Sequence, residues 1–430
     1  MKLEKFIPQD QVFWYLKQDI CKPLTESITT DVVVIGGGMA GLSAAQAFKD
    51  KGLSVVLLEK NYCGSGASGK SSGFITPNSE LSLYTLIERY GETEAKKLWD
   101  FASMGVERIR SNIKSHNLSC EYLEQDTLVI ASQKKSYQSE IIKEHDARIK
   151  SGYKSRTYDA QQVQNVLSSG AYYGALAYPD SFSIRAFDYC QEMKKVLIEQ
   201  GVKIFEETPV IDIQPTFVKT VSHAVHANHI IVCMDRYAQY IPELKDKVYH
   251  VQTFLSATAP LSSKQMKSIF PQHHYMAWDT DLIYHYFRLT AENRLLIGGA
   301  HLLDTYASEE TYNNKRMSRA LDSYINTKFP ELKTSLEYIW PGMIGVSKDL
   351  FPIAGFDQHN PSIYYITAAT GLPWASALGL YAAEHILDNN TSFAEYFSPY
   401  RSFKINAFMT KLFGHKLTFA LSHYMTASSF

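Results

Sequence analysis

The sequence lacks three features that would each have indicated a particular class of protein. No stretch reaches the roughly 18 consecutive apolar residues that a membrane-spanning helix requires. There is no excess of basic charge, since 43 Lys and Arg residues stand against 44 Asp and Glu residues, and this excludes an electrostatic basis for nucleic-acid binding. The five cysteines are scattered and form no CxxC pair, so neither a disulfide framework nor a zinc site has the spacing it needs.

The start of the chain also lacks the uninterrupted apolar segment of a secretory signal. We therefore expect a cytoplasmic protein in a reducing compartment. The chain has 430 residues, of which 45% are hydrophobic and 20% charged. These values exclude a disordered chain and provide for roughly two to four domains.

Glycine is the residue with an unusual distribution. Of 23 glycines, nine lie between positions 36 and 73. The first group forms G-x-G-x-x-G in GGGMAG at 36–41, between a β-branched apolar run at 31–35 and a segment rich in helix formers at 39–51. A second apolar run at 54–58 completes a strand–helix–strand unit. The glycine pattern alone is weak, and this context makes it specific.

Each glycine of the motif has a separate physical task. Gly36 permits the tight turn, Gly38 lets the backbone approach a pyrophosphate, and Gly41 allows the helix to pack closely on the sheet. The helix N-terminus offers N–H groups and a partial positive charge to phosphates. Glu59 ends the next strand, 18 residues after Gly41, where its carboxylate can accept hydrogen bonds from ribose hydroxyls and would repel the 2′-phosphate of NADP. The pattern predicts a bound dinucleotide.

The second glycine group bears on the choice between NAD and FAD. Residues 61–73, NYCGSGASGKSSG, come just after Glu59, where an NAD-dependent enzyme normally continues into another helix. A loop rich in N–H and hydroxyl donors suits a longer cofactor that runs past it, and this favours FAD. A flexible surface loop is the alternative interpretation.

These residues together resemble a known family. GGGMAG, Glu59 and GASGKSSG are similar to the FAD-dependent D-amino acid oxidase and sarcosine/glycine oxidase superfamily. Within it, AYYGALAYPDSFSI, YFRLTAENRLLIGGA and YIWPGMIGVSKDLFPIAGF resemble gamma-glutamylputrescine oxidase-type amine oxidases. GGGMAG and ETPV mark only the broad superfamily, whereas YFRLTAENRLL is specific to that branch.

The resemblance implies an α/β fold of two domains. One is a Rossmann-like FAD-binding domain assembled from discontinuous segments, and the other is an inserted substrate-binding domain with an antiparallel sheet. The ranges assigned to the FAD-binding domain are 28–95, 183–238 and 336–392. The ranges assigned to the substrate-binding domain are 96–182 and 239–335. The remaining ranges are an N-terminal extension, 1–27, and a C-terminal helical segment, 393–430.

The resemblance also implies which residues contact FAD. Val210 in ETPV would contact the adenine through its backbone, and Cys233 and Met234 would lie beside the pyrophosphate. A helix starting near Pro373 would direct its positive end at the pyrimidine edge of the flavin. Relatives that attach FAD covalently do so near WPGMIGV, which has no cysteine here, so we expect non-covalent FAD. The predicted cofactor contacts are Gly36, Gly38, Met39, Ala40, Gly41, Glu59, Lys60, Gly66, Ala67, Ser68, Lys70, Ser71, Ser72, Gly73, Val210, Cys233, Met234, Gly342, Gly371, Leu372, Pro373 and Trp374.

Three positions depart from the family pattern. The usual G-A-S-G-R-N-G-G has Lys70, Ser71 and Ser72 in place of Arg, Asn and Gly, which keeps the charge but loses the planar guanidinium. The usual G-H-G near the flavin is GLP at 371–373, which removes a histidine and adds bulk beside the substrate cavity. The arginine that clamps the carboxylate in amino-acid-oxidising relatives falls at Ile344. An amine without an adjacent carboxylate therefore fits better than a simple amino acid.

The expected reaction is oxidation of the C–N bond of a small amine to an imine, with hydride transfer to flavin N5 and reoxidation by oxygen. Tyr286, Phe287 and Trp340 are candidate cavity walls, and His285 or Tyr286 is the candidate polar contact. The alternative for each is an aromatic side chain of a sheet core. Two other functions fit the sequence: a flavin dehydrogenase with a non-oxygen acceptor, and a flavin-binding protein whose catalytic pocket has decayed.

Two further patterns are given structural interpretations. His223, His226 and His229 would point to different faces of a strand–turn–strand segment, so we expect no metal site. Residues 404–424 are apolar with basic residues. Gly414 and the modest length of the segment favour a packing helix over one that lies on a membrane surface.

Overall fold

The apolar runs of the sequence become strands of two large sheets, with a third sheet of three short strands. This computed structural model describes residues 12–15, 20–78, 80–179, 181–281, 284–299, 306, 314–403, 414 and 416–422. The strands in chain order are β1 (Ile28–Ile35), β2 (Val55–Leu58), β3 (Phe74–Ile75), β4 (Leu123–Glu124), β5 (Asp126–Ile130), β6 (Arg156–Asp159), β7 (Gly174–Tyr178), β8 (Phe182–Ser183), β9 (Lys203–Phe205), β10 (Val210–Gln214), β11 (Phe217–Thr220), β12 (Ala224–Val232), β13 (Val248–Thr258), β14 (Tyr275–Asp279), β15 (Tyr286–Leu289), β16 (Leu295–Gly299), β17 (Leu336–Ser347), β18 (Ile353–Phe356) and β19 (Ile363–Thr367).

The helices range from single turns to seven turns in length. In chain order they are α1 (Met39–Asp50), α2 (Ala67–Lys70), α3 (Leu83–Tyr90), α4 (Glu92–His116), α5 (Lys134–Ser136), α6 (Lys143–Lys150), α7 (Ala186–Glu199), α8 (Ser263–Lys267), α9 (Asn314–Lys328), α10 (Leu372–Leu387) and α11 (Ala394–Phe397). The other helical segments are a π-helical turn, Tyr137–Ile142, and two 3₁₀ turns, Gln162–Asn165 and Asp235–Tyr240.

The first sheet contains the predicted strand–helix–strand unit. Its order is β10-β11-β12-β1-β2-β9, with β19 beside the end of β12 and β18 beside β19. Strands β1, β2, β9, β12 and β19 run parallel. In the runs VVVI at 32–35 and VVLL at 55–58, no residue is more than 5% exposed, as expected for parallel strands covered on both faces. The sequence-based prediction of buried strands here is confirmed.

Glycines allow helices α1, α4 and α10 to pack closely beside this sheet. Where α1 and α10 cross, a Cβ on Gly379 would lie 2.6 Å from Ala44 N. Helix α4 approaches the start of α10 just as closely, since a Cβ on Gly105 would lie 2.0 Å from Pro373 O. The glycines therefore allow three helices to pack together with backbone contacts and fix where α10 begins.

The second sheet has the order β17-β13-β16-β15-β14-β5-β7-β6 and is antiparallel except for the parallel pair of β14 and β5. We call the face covered by α9 the outer face; there Met317 and Leu321 pack in one cluster with Phe287. We call the opposite face, which carries Leu255 and Trp340, the inner face. This face packs on residues 12–15 and on the loop that follows β2.

The two large sheets confirm the predicted α/β class, with a parallel Rossmann-like part and a second, mostly antiparallel part. Strand β17 pairs with β13 along its whole length and so lies in the second sheet, although the predicted boundary places 336–392 in the FAD-binding domain. The predicted domain ranges themselves stay a prediction.

Within the stretch 404–424, the structure describes residues 414 and 416–422, and all of these are helical. Phe419 is fully buried and packs with Val251 and Val346 of the second sheet. The rest of the helix predicted at 404–424 lies outside the described residues. Among the described helices, none is long and apolar enough to cross a membrane.

We expect Gly105→Ala to destabilise the protein by about 1–3 kcal/mol, because the added methyl group would overlap Pro373 O unless α4 moves. Gly170→Ala is the matched control, since a Cβ there meets nothing within 4 Å, and its effect should stay below about 0.5 kcal/mol. Urea unfolding followed by circular dichroism measures both variants. Equal unfolding midpoints for the two would contradict the close packing of α4 on α10.

Candidate cofactor and substrate site

The carboxyl ends of the parallel strands bring distant parts of the chain to one edge of the first sheet. Strands β1, β2, β12 and β19 all end there. Two helices begin there without side-chain caps, α1 after Gly38 and α10 after Gly371. Their first N–H groups have no partner within the helix and carry partial positive charge. This edge is therefore suited to bind phosphate and a dinucleotide.

Gly36 and Gly41 make the first turn possible through backbone contacts. Gly36 has φ +104°, and a Cβ on it would lie 2.3 Å from Cys233 O. A Cβ on Gly41 would lie 1.9 Å from Gly36 O. Gly38 instead faces the next loop, since a Cβ there would lie 3.1 Å from Ser68 Oγ. Any larger residue at Gly36 or Gly41 would push the backbone apart, whereas Gly38 leaves room for Ser68, whose Oγ accepts a hydrogen bond from Met39 N at 3.0 Å.

Glu59 is held in one orientation by backbone donors. Its Oε2 accepts a hydrogen bond from Gly37 N at 2.7 Å, and its Oε1 accepts one from Asn61 N at 2.9 Å. Burial raises the pKa of Glu59, against the effect of these two N–H groups. Each oxygen keeps a lone pair for the predicted bonds from ribose hydroxyls. The neighbouring Lys60 is exposed, and its Nζ donates to Tyr237 OH at 2.5 Å.

Two tryptophans hold the loop of residues 61–73 from the outside. Trp14 Nε1 donates to Gly69 O at 2.7 Å, and Trp340 Nε1 donates to Lys70 O at 3.1 Å. The two indole rings meet edge to face, with centroids 5.0 Å apart. The loop is therefore tethered, and it is not the flexible surface loop of the alternative interpretation. The predicted cofactor contacts on it are Gly66, Ala67, Ser68, Lys70, Ser71, Ser72 and Gly73.

Arg288 holds the end of the same loop by donating hydrogen bonds to backbone carbonyl oxygens. This residue is 1% exposed, and its Nε donates to Ser72 O at 2.8 Å while its Nη2 donates to Ile184 O at 3.1 Å. Burial lowers the pKa of Arg288 to about 10, opposed by the nearby Glu121, so the side chain stays charged at neutral pH. A Cβ on Gly73 would lie 1.8 Å from Ile184 O. The loop end is thus fixed by backbone contact on one side and by a guanidinium on the other.

A buried ion pair supports the Cys63 end of this loop. Lys194 Nζ lies 3.2 Å from both carboxylate oxygens of Glu206, and neither side chain is more than 3% exposed. Glu206 also accepts hydrogen bonds from Cys21 N and Cys63 N, each at 2.6 Å. Sequence reasoning did not identify Trp14, Arg288, Lys194 or Glu206 as supports. Their partners lie 12 to 216 positions away in the chain, and no motif marks them.

Asp235 connects the two large sheets just after the predicted pyrophosphate contacts. Cys233 and Met234 follow β12, and Asp235 then adopts φ +41°. Its Oδ2 accepts a hydrogen bond from Gly345 N of β17 at 3.0 Å, and its backbone oxygen accepts one from Thr367 Oγ1 of β19 at 2.9 Å. Burial raises the pKa of Asp235 to about 6, although the Gly345 N–H acts in the opposite direction.

The segment GLP at 371–373 starts α10 as the sequence predicted. Gly371 has φ +120°, and Pro373 lies in the first turn. Trp374 is 1% exposed and donates to Pro77 O at 3.2 Å, with Phe351 packed against its ring at 5.3 Å. Trp374 therefore secures the helix start from the core side.

The residues predicted to contact the substrate, His285, Tyr286 and Trp340, do not all lie on one face of the second sheet. A Cβ on Gly298 would lie 2.2 Å from the Tyr286 ring, whereas a Cβ on the adjacent Gly299 would lie 3.0 Å from His285. Adjacent strand residues face opposite sides, so Tyr286 lies on the inner face and His285 on the outer face. His285 stacks on Tyr324 of α9, with centroids 4.0 Å apart.

The inner face retains Tyr286 and Trp340. Burial raises the pKa of the Tyr286 hydroxyl to about 12, although the nearby Thr253 acts in the opposite direction. Gly342 of β17 lies opposite Thr253 of β13. A Cβ on Gly342 would meet nothing closer than Lys70 Cβ at 3.9 Å. Phe287 belongs to the outer-face core. Phe287 is therefore an aromatic side chain of the sheet core, as the alternative interpretation expects. Tyr286 instead has a protonated hydroxyl on the inner face, which packs on the loop of residues 61–73.

Comparison with known proteins identifies the family. The chain matches the family described as "DAO: FAD dependent oxidoreductase" over residues 31–385. The chain belongs to this family. It is 30% identical over 355 residues to the gamma-glutamylputrescine oxidoreductase of Escherichia coli (strain K12), which is 81% of each chain. It is 28% identical over 381 residues to the probable oxidoreductase OrdL of Haemophilus influenzae, covering 86% of this chain and 85% of the relative.

Solved structures show the same fold at lower identity. L-proline dehydrogenase from P. horikoshii has a TM-score of 0.74 at 18% identity, and the match covers 88% of this chain and 98% of that one. Glycine oxidase from Geobacillus kaustophilus has a TM-score of 0.74 at 16% identity, with 87% and 99% covered. This member of the DAO family is therefore an FAD-dependent oxidoreductase, as the sequence predicted.

The described site fits FAD. Two helix N-termini meet at one edge, and Glu59 is fixed with free lone pairs. A Cβ on Gly66 would meet nothing within 4 Å. Packing within the protein therefore does not require glycine at this position, and the loop has open space beside it. The residues that would hold FAD without a covalent bond are those predicted from the sequence. Their individual contacts stay predictions.

We expect Arg288→Lys to weaken FAD binding by about 10-fold or more, because an ammonium cannot replace the guanidinium bonds to Ser72 O and Ile184 O. Arg294→Lys is the matched control on the same sheet, since Arg294 pairs with Glu337 at 2.6 Å and does not bond the loop. Fluorescence titration of the apoprotein with FAD gives both dissociation constants. An equal effect of the two substitutions would contradict the tethering role.

We expect Asp235 to make stability depend on pH. Its pKa rises from 3.8 to about 6 on folding, so the folded protein holds a proton that the unfolded chain releases in that window. The resulting stabilisation is present below about pH 4 and is lost as pH rises to about 6, and it amounts to about 3 kcal/mol. Relative to the wild type, Asp235→Asn should therefore become more stable between pH 4 and pH 7. Chemical unfolding at both pH values measures this difference, and a constant difference would refute it.

Proposed function

We propose that this protein oxidises the C–N bond of a small amine that carries no carboxylate next to the reacting carbon. The observation that carries the proposal is Ile344, at the position where the resemblance puts the carboxylate-binding arginine of amino-acid-oxidising relatives. Ile344 packs in an apolar cluster with Val251 and Tyr306. An amino acid would lose its charged partner there, and burying an unpaired carboxylate is costly. The similarity to a gamma-glutamylputrescine oxidoreductase supports the same substrate class.

The chain's own residues would orient the amine and exclude water. Bound FAD supplies the two-electron acceptor that takes a hydride from the carbon beside nitrogen, so that an imine forms and hydrolyses. The Tyr286 hydroxyl remains protonated at neutral pH, because burial raises its pKa to about 12, and it can hydrogen-bond an uncharged amine. The N-terminus of α10 would stabilise negative charge at the cofactor. Little acid–base catalysis is required, and position contributes most.

Oxygen is the proposed electron acceptor, and one experiment tests both acceptor and substrate class. The purified holoenzyme is mixed anaerobically with gamma-glutamylputrescine, putrescine, secondary amines and amino acids, and flavin absorbance is followed. We expect amines without an adjacent carboxylate to bleach the flavin, and admission of air to yield peroxide in step with substrate loss. Bleaching by amino acids alone would overturn the substrate class. Bleaching without peroxide would identify a dehydrogenase with another acceptor.

Ile344→Arg provides a sharper test of the same proposal. An arginine at this position should raise the preference for amino acids over amines, because it restores a partner for the carboxylate. The ratio of kcat/KM for an amino acid to that for an amine measures the change. An unchanged ratio would mean that Ile344 does not influence which substrate the enzyme prefers. Val346→Ile, two residues along β17, is the control for added volume in this cluster.

A further inference from the structure

A carboxylate outside the described cofactor contacts lies close to the start of α10. Glu80 follows β3 by five residues, and Asn78, two residues before it, places its backbone oxygen 3.6 Å from a Cβ built on Gly371. Gly371 begins the helix that is predicted to face the flavin. Glu80 is therefore near the predicted flavin, on the side of the inner face of the second sheet.

Glu80 lies next to Tyr284, at an exposed position. Glu80 is exposed, and Tyr284, whose hydroxyl donates to Glu80 Oε1 at 3.2 Å, keeps 36% of its surface accessible. Burial nevertheless raises the pKa of Glu80. The pKa of Tyr284 is raised by the charge of Glu80 and by burial.

Aromatic rings lie next to Tyr284 along the inner face of the second sheet. Tyr284 and Tyr286 have ring centroids 5.9 Å apart, and Phe74 lies 6.1 Å from Tyr286 and 6.1 Å from Trp278. Among the described residues, no Lys, Arg or His lies within ion-pair distance of Glu80. A carboxylate next to aromatic faces, without a cation of its own, attracts a ligand cation.

The cation cannot be the reacting nitrogen. Hydride leaves an amine only when its nitrogen is uncharged, and a carboxylate beside that nitrogen would hold it as ammonium. A second positive charge on the same molecule meets no such conflict. The substrate class that this arrangement fits is an amine with a second ammonium group, such as a diamine or a polyamine derivative.

We propose that Glu80, with Tyr284 and the rings of Tyr286 and Phe74, binds the second ammonium group of the amine substrate. This subsite rests on the proposed amine oxidation and adds a specificity determinant to it. Its role is in binding, since it would contact the part of the substrate that does not react.

The test compares putrescine with n-butylamine, which have the same carbon chain and differ in the second ammonium group. Dissociation constants are measured anaerobically at pH 8 from the change in flavin absorbance of the holoenzyme. We expect the wild type to bind putrescine about 10-fold or more tightly than n-butylamine. Glu80→Gln should remove this preference. Tyr284→Phe should reduce it by a smaller factor, because the carboxylate remains but loses its hydrogen bond.

Glu88→Gln is the matched control, because Glu88 is a surface residue of α3 that pairs with Lys143 at 3.6 Å, and it should keep the wild-type preference. Equal weakening of both ligands by Glu80→Gln would overturn the proposal, since Glu80 would then contact the reacting amine. A wild type without preference for putrescine would overturn it as well. If putrescine binds in a Glu80-dependent way but no amine reduces the flavin, the subsite stands and the proposed reaction fails. If amines reduce the flavin and Glu80→Gln keeps the preference, the reaction stands and the subsite fails.

Discussion

The structure depends on two close backbone contacts in the glycine turn at the carboxyl edge of the first sheet. A Cβ on Gly36 would overlap Cys233 O, and a Cβ on Gly41 would overlap Gly36 O. Because these contacts are between backbone atoms, the turn, the end of β12 and the start of α1 have a single arrangement. Helix α1 in turn packs on α10 at Gly379, so the two helix N-termini are placed at the same edge. The phosphate-binding character of the site follows from that geometry.

The loop that follows β2 shows how the cofactor site is coupled to the second sheet. Its carbonyl oxygens accept hydrogen bonds from Trp14, Trp340 and Arg288, and Asp235 bonds to both sheets. A loop of small residues has high conformational entropy when free, and donors supplied by distant elements offset that cost. The order of the cofactor loop therefore depends on contacts with the N-terminal segment, both large sheets and α7.

We propose that the inner face of the second sheet selects the substrate. On this proposed substrate side the chain has an apolar Ile344, the aromatic rings of Tyr286 and Phe74, and the carboxylate of Glu80. Such a surface discriminates by charge: it offers a partner to a cation and, at Ile344, none to a carboxylate. The proposed preference for an amine with a second ammonium group follows from these three features together.

The dinucleotide-binding edge could be predicted from local sequence, because the glycines, the two buried runs and Glu59 all lie within residues 31–59 and each residue type has a local physical requirement. The sequence also predicted the helix at Pro373, which proline and glycine chemistry mark locally. Strand alternation places His285 and Tyr286 on opposite faces, but only the packing of the sheet shows that Tyr286 is on the inner face and that Phe287 lies in the core, since the cover on each face comes from distant elements. Likewise Trp14, Arg288, Glu206 and Glu80 gain their roles from partners far away in the chain. No local pattern encodes a contact between residues that meet only when two sheets pack.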